Sequence, residues 1–390
     1  MSLDPPRRFD PDEPLVLDPD PVSQWLDWEE QANLVGFRTS TAPVAIDVVR
    51  VPREALEIEV LPGAPETIVR RFVHDDHVSF PRHPLNRDPG VAFFDAPVAE
   101  RWTARFTSSR TLALPGPESG SALASLKLAT DHPHPDFHQP EKTRLREEAV
   151  DALRWARTIA RIDALLEPPA GFAVIGEVLV VLVRGGESGF LVRDLRRFQG
   201  GHYFLPALSL PWVGHPIARA RGEDFARFWG RHYAEAVGRA KARLFLRYGL
   251  FYETPNPQNL LVELDSGLSP TGTIVCRDVG DGLCGTDAFT AEGVPWTRLE
   301  SDLRPETRNS FWAFGEAGDH SLGEPLLLDW YARHDRAYEA ELARCLPTLA
   351  RATDPAGTDW LEHWNRVLRE DRATPALEAA FRRMGRPSTY

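Results

Sequence analysis

Apolar positions along this chain follow two rhythms, and the changes of rhythm outline its elements. APVAIDVVRV (42–51) and ALEIEVL (55–61) alternate apolar and polar residues with period two, which predicts strands. Ahead of them, SQWLDWEEQANLVGF (23–37) is read as a helix with Trp25, Trp28 and Leu34 on its apolar face. The Pro-rich segment DDHVSFPRHPLN is read as loop. FTSSRTLALP and ASLKLATD predict two strands in hairpin-like succession across a Gly/Ser/Pro loop. Leu145 to Leu166 is an amphipathic helix, with Leu145, Ala149, Leu153, Ala156, Ile159 and Ile162 at helical spacing. GFAVIGEVLVVLV and GFLVRDL flank a GGES turn and are apolar enough for a sheet interior. A second long helix is expected over Arg221 to Tyr248, its face formed by Phe225, Phe228, Tyr233, Val237, Ala240 and Leu244.

That helix leads into two apolar strands, QNLLVEL (Gln258–Leu264) and TIVCRDV (Thr273–Val279), joined by a Gly/Ser/Pro turn as an antiparallel hairpin. Further helical segments lie near Leu326–Leu346, Trp360–Glu370 and Thr374–Met384, and no internal repeat is visible. The pattern predicts an α+β fold of mixed antiparallel sheets and long helices. It divides into a disordered or loosely docked leader (1–22), an N-terminal region (23–105), a central region (106–215) and a C-terminal region (216–390).

Composition narrows the class. Apolar residues make up 42% and charged residues 26%, as in a globular protein with room for sizeable cores. No apolar run approaches the roughly 20 residues that span a bilayer. The stretch MSLDPPRRFDPDEP has no apolar core of the kind a signal peptide carries. Cys276, Cys284 and Cys345 lack metal-ligand spacing and suggest no disulfide framework, so the expected compartment is the cytoplasm. A net charge of −12 argues against broad nucleic-acid binding. Neither a nucleic acid nor a membrane is therefore expected as partner, and a homodimer is admitted. Among 45 basic residues only Lys127, Lys142 and Lys241 are lysines, which marks a surviving lysine as a candidate for a site that needs a compact ammonium.

Two constellations carry candidate chemistry. Ser108, Ser109, Arg110 and Thr111, followed by Lys127 on the next strand, form a cradle suited to anionic oxygens, against the plainer reading of a polar strand start. At the hairpin, Gln258 and Asn259 enter the first strand while Asp278 and Asp281 leave the second, which predicts Asn259 and Asp278 as neighbours. An amide oxygen beside a carboxylate suits Mg²⁺ that also holds nucleotide phosphates. The alternative is an ordinary hairpin with polar ends. A kinase would place an Asp five residues before the metal-binding Asn, where this chain has Thr254. A carboxylate nucleophile needs no such base, being ionised at neutral pH. His132, His134 and His138 lie in a Pro-rich insertion without a second ligand cluster and are not read as a metal site.

The order of these motifs resembles the NRPS-independent siderophore synthetases, the aerobactin-synthetase family. The resemblance covers Phe106 to Gly282 and rests on SSRTLALP, SLKLATD, TRLREE, FLVRDL, YGLFYETPNPQNLLVEL and TIVCRDVGDG in that order. It implies a cupped hand of thumb, fingers and palm, with 23–105 as a reduced thumb, 106–215 as fingers and 216–390 as a distantly kinase-like palm. It implies adenylation of a carboxylate by ATP with Mg²⁺ and transfer of the acyl group to an amine or alcohol. Ser108, Ser109, Arg110, Thr111 and Lys127 would contact phosphate or carboxylate oxygens, with Arg144 as a further phosphate-binding arginine. Gln258 would line the pocket, and Asn259, Asp278 and Asp281 would hold the metal. Arg193 matches a family arginine of less defined role. The family's histidine between Glu253 and Gln258 is absent, since TPNP stands there and leaves Asn256 or Thr254 as substitutes. Citrate as substrate is put in question by that change. A kinase-like phosphotransferase and a non-catalytic nucleotide-binding scaffold are the alternative readings.

Overall fold

A computed structural model describes residues 15–32, 43–86, 92–108, 110–116, 122–131, 145–163, 168–248, 250–251, 257–279, 283–284 and 324–349. The chain divides into two compact units. The first comprises Met1–Arg157, Ile175–Pro216 and Leu264–Ser269, and the second Thr158–Val174, Ile217–Glu263 and Pro270–Tyr390.

The first unit is built on one antiparallel sheet. Its strands are β1 (Val44–Pro52), β2 (Leu56–Val60), β3 (His77–Pro81), β4 (Val98–Phe106), β5 (Thr111–Pro115), β6 (Ala122–Leu128), β8 (Glu177–Val183) and β9 (Gly189–Asp194), in the order β2-β8-β9-β6-β5-β4-β1-β3. Every neighbouring pair is antiparallel. Strands from both sides of Arg105 share this sheet, and Arg105 itself lies within β4, so no division falls where the sequence places the end of an N-terminal region.

Alternation gives the sheet its two faces. One buries Ile46, Val48, Leu112, Leu126, Val181, Phe190 and Val192, which pack with Phe72 and Ile68 of helix α2 (Glu66–Phe72) and with Trp102. Phe72 meets Trp102 edge-on at a centroid distance of 5.2 Å. Each such fully buried side chain contributes roughly 1.5–3 kcal/mol. Part of the other face is covered by helix α3 (Arg146–Asp163), whose Ala149 and Ala152, with Leu145 just ahead of it, pack on Val180, Leu182 and Leu191.

Several elements depart from the sequence reading. DDHVSFPRHPLN contains β3, an edge strand that ends in Pro81, where a missing N–H costs no ladder bond. GFAVIGEVLVVLV is two strands, β7 (Phe172–Ile175) and β8, broken at Gly176. Of the leader, residues 15–22 are described, the last two inside a helix. The Asp20 carboxylate accepts from the N–H groups of Val22 and Ser23 at the start of α1 (Pro21–Ala32), and Tyr203 Oη donates to Asp18 O at 3.2 Å. Within α1, Trp25 stacks at 4.6 Å on Phe198, a residue followed in the chain by β10 (Tyr203–Pro206) and α4 (Leu210–Ala220).

The second unit holds β7 with β12 (Leu260–Leu264) and β13 (Pro270–Arg277), and a two-stranded pair β11 (Leu250–Phe251) and β14 (Leu283–Cys284). The expected helix over 221–248 is three segments. Asp224 caps α5 (Phe225–Trp229) by accepting from Arg227 N, a π-turn spans Gly230–Ala234, and α6 (Glu235–Tyr248) follows. α6 crosses α7 (Glu324–Leu349) closely at Gly238, where a Cβ would lie 2.3 Å from His334 O, so only glycine fits. The helical segments expected near Trp360–Glu370 and Thr374–Met384 lie outside the described residues. No described helix is long and apolar enough to cross a membrane.

Candidate functional site

In the first unit, register assembles the first constellation from strands distant in sequence. Thr111 lies opposite Lys127, and Ala113 opposite Ser125. β9 then sets Leu191 opposite Lys127 and Arg193 opposite Ser125, and β8 sets Glu177 opposite Arg193. Cross-strand partners share a face. Thr111, Lys127, Ser125, Arg193 and Glu177 therefore stand on the face that α3 partly covers, while Leu112, Leu126 and Val192 between them point into the opposite core.

The SSRT turn is tied to this lane through its backbone. Thr107 N and Ser108 N both donate to Thr111 O, at 2.9 and 3.2 Å, and Leu128 N donates to Arg110 O at 2.9 Å. Arg110 is thereby fixed one residue beyond Lys127 on the neighbouring strand. Both cations meet the same acid on α3. Arg110 Nη2 donates to Glu148 Oε2 at 2.5 Å, and Lys127 Nζ donates to Glu148 Oε1. The Lys127 side chain is only 4% exposed, which removes the plain reading of a surface lysine. A second pair lies deeper, with Arg193 Nε 2.8 Å from Glu177 Oε1 and both side chains almost wholly buried.

Glu148 and Glu177 were not singled out from sequence. For Glu148 a signal exists: it sits at helical spacing from Leu145 and Ala152 and beside Ala149, all buried, so an acid there faces the sheet. For Glu177 the sequence offers none, because its partner is set by strand pairing.

In the second unit, the β12–β13 hairpin brings residues 258–259 beside 277–278. Arg277 N donates to Asn259 O at 3.0 Å, and Arg277 Nε donates to Gln258 O at 2.9 Å, which ties the two strand ends together. Asn259 is buried, while Gln258 and Asp278 are half-buried. Asp278 has φ +58°, a left-handed conformation that Asp tolerates better than most residues and that ends the strand alternation. An amide oxygen and a carboxylate at this hairpin end are the hard donors Mg²⁺ takes, and that ion commonly uses one or two carboxylates plus substrate phosphates. The residues present therefore fit such an ion. Among the described residues, no group of three or more His, Cys, Asp or Glu gathers as a metal cage.

Ser109, Arg144, Asn256 and Asp281 lie outside the described residues, as do Glu253, Thr254 and the histidines at 132, 134 and 138. Cys276 on β13 is fully buried, and burial pushes its thiol up to about 12. It is therefore no thiolate nucleophile at neutral pH.

No protein-family model matches the chain, and no curated protein matches it. Among solved structures, it is similar to ATP-bound aerobactin synthetase IucA from a hypervirulent pathotype of Klebsiella pneumoniae, at 16% identity and a TM-score of 0.48, over 87% of this chain and 65% of that one. For aerobactin synthetase IucC from the same pathotype the values are 14%, 0.48, 88% and 65%. For the petrobactin biosynthesis protein AsbB from Bacillus anthracis str. Sterne they are 12%, 0.48, 85% and 64%. The chain thus spans less than two thirds of each of these structures.

Proposed function

We propose that this protein is an ATP- and Mg²⁺-dependent carboxylate ligase that forms an acyl-adenylate and passes the acyl group to an amine or alcohol, in siderophore-like or other natural-product biosynthesis. The observation that carries the reading is the convergence of Arg110 and the nearly buried Lys127 beside the Ser108–Thr111 turn, on a lane whose register also holds Ser125 and Arg193. Phosphate oxygens are the ligands such a guanidinium–ammonium–hydroxyl set recognises. The sequence resemblance to the siderophore synthetases supports the same assignment. Thr111 and Ser108 add hydroxyl donors, and Arg144 and Ser109 complete the proposed phosphate set.

In the second unit, Asn259 and Asp278, with Asp281, are assigned to Mg²⁺, and Gln258 and Asn256 to the substrate pocket. The ion, when bound, would neutralise charge on the phosphates. The carboxylate oxygen of the substrate attacks the α-phosphorus of ATP, forming an acyl–O–P bond as the Pα–O–Pβ bond breaks and pyrophosphate leaves. The acceptor amine or alcohol then attacks the acyl carbon, the bond from that carbon to the phosphate oxygen breaks, AMP departs and the acceptor releases one proton to solvent. The protein's share is positioning and charge stabilisation by Arg110 and Lys127, since a carboxylate needs no base to attack. TPNP between Glu253 and Gln258 leads us to assign a carboxylate other than citrate.

Two experiments test this. A panel of carboxylic acids is screened for pyrophosphate release, with hydroxylamine trapping the acyl group as a hydroxamate. AMP and pyrophosphate support the ligase. ADP would make the protein a phosphotransferase, silence across a broad panel would make it a scaffold, and efficient turnover of citrate would refute the inference from TPNP. For the metal assignment, Asp278→Asn keeps the left-handed backbone conformation while removing the charge, and it should abolish Mg²⁺-dependent ATP binding by calorimetry. Unchanged affinity would sink that assignment.

A further inference from the structure

The carboxylate that joins Arg110 to Lys127 stands where α3 does not need it. The first turn of α3 is anchored in three other ways. Arg146 makes a bidentate pair with Glu57 on β2, at 2.9 and 3.0 Å, and its Nε donates to Gly186 O at 2.6 Å. The N–H groups of Leu145 and Arg146 donate to Glu187 O at 2.7 and 3.2 Å. Leu145, Ala149 and Ala152 pack in the apolar cluster with Val180, Leu182 and Leu191. Glu148 lies in that same first turn, where the helix dipole favours the ionised carboxylate. One of its oxygens holds a guanidinium and the other an ammonium, and all three side chains are less than a fifth exposed.

Two like charges brought this close repel each other, and more strongly out of water. A single carboxylate between them cancels one charge and leaves the three groups at +1, which is the sign a phosphate requires. It also fixes direction. Lys127 has a flexible four-carbon stem, and the oxygens of Glu148 set where its ammonium sits relative to the Arg110 fork.

We propose that Glu148 is a positioning residue that sets Lys127 and Arg110 as one preorganised phosphate clamp. The inference rests on the nucleotide reading above and assigns to Glu148 a role that reading leaves open. It distinguishes two acids that look alike on paper. Glu148 is needed for ligand binding, whereas Glu57 docks the helix and the Gly185 turn.

The test is calorimetric titration of MgATP into the wild type and two variants, with thermal unfolding as a check on the fold. Glu148→Gln keeps the shape, but its amide has one acceptor oxygen and one donor NH₂, so it cannot serve both cations. Affinity should fall at least tenfold. Glu148→Asp keeps the charge and withdraws it by one methylene. Affinity should again fall, by severalfold, and this variant carries the test if Glu148→Gln does not fold. Wild-type affinity in Glu148→Asp would show charge balance without positioning and overturn the proposal. Tighter binding in Glu148→Gln would make Glu148 a competitor of the phosphate and overturn it too.

A nucleotide-free reading separates this claim from the one beneath it. Acetylation by an N-hydroxysuccinimide ester is mapped over the chain's three lysines, 127, 142 and 241. Lys127 should react faster in Glu148→Gln than in the wild type, relative to Lys241. An unchanged ratio would show that Glu148 does not hold the amine, which overturns the positioning role even if ATP binds. Failure of the wild type to bind MgATP would remove the nucleotide reading and this inference with it.

Discussion

The two faces of the eight-stranded sheet are made by the same strands, yet they do different work. Leu112, Leu126 and Val192 point into an all-apolar core, and their immediate neighbours Thr111, Lys127 and Arg193 point into the charged lane. On the first face the register matters only in that every inward position is apolar. On the second it is specific, because moving β6 by one residue would take Lys127 from Glu148 and set it in the core. A single residue step along each strand thus separates an apolar packing face from a face of paired charges.

Substitutions on the two faces sharpen or break that separation. The largest effect is expected deep in the lane. Arg193→Met leaves the Glu177 carboxylate, 1% exposed, without its partner and should cost about 3–5 kcal/mol of stability, measured by denaturant unfolding. A cost below about 1 kcal/mol would mean that the pair is not buried as described. Next comes the core face. Leu126→Ala should cost about 2–5 kcal/mol in the same measurement, while the folded fraction keeps its affinity for MgATP. A parallel loss of affinity would show the faces to be coupled.

The smallest effect is at the edge of the sheet. The side-chain hydrogen bond from Arg146 holds the half-exposed Glu57 carboxyl below its usual 4.5. A lowered folded pKa stabilises above the unfolded value, and that stabilisation is lost as pH falls through the folded one. Between pH 5 and acid pH the wild type should therefore lose a contribution of below about 1 kcal/mol that Glu57→Gln lacks throughout. Parallel acid melting curves for the two proteins would remove the pair from the account.

The same separation explains what could be read from sequence. Strands β1, β2, β5, β6 and β9 are visible as alternating or apolar runs, because a strand records its burial pattern locally. β3 is hidden by the prolines at and just after its end, Pro81 and Pro84. β4 was hidden because only Trp102, Ala104 and Phe106 at its end keep the alternation, after four exposed residues. The 221–248 helix reads as continuous because the π-turn keeps Tyr233 on the buried side. Of the candidate site, the SSRT turn, Lys127 and the hairpin ends are legible as clustered polar residues at strand termini. For Glu148 the buried helix face is legible but its two partners are not, and Glu177 is not legible at all, since its partner 16 residues away is supplied only by register. The SSRT turn illustrates the middle case: its presence is legible, but that Thr107 N and Ser108 N both donate to the carbonyl of Thr111 is not.

The central claim is that the charged face of this sheet holds nucleotide phosphates, and Lys127 is its most exact test. MgATP is titrated by calorimetry into the wild type and into Lys127→Met, which keeps the length and apolar stem but loses the ammonium. The account predicts binding by the wild type and a loss of roughly 1.5–3 kcal/mol in the variant, the worth of a charge-assisted hydrogen bond in a nearly buried site. An affinity within about twofold of the wild type would contradict it.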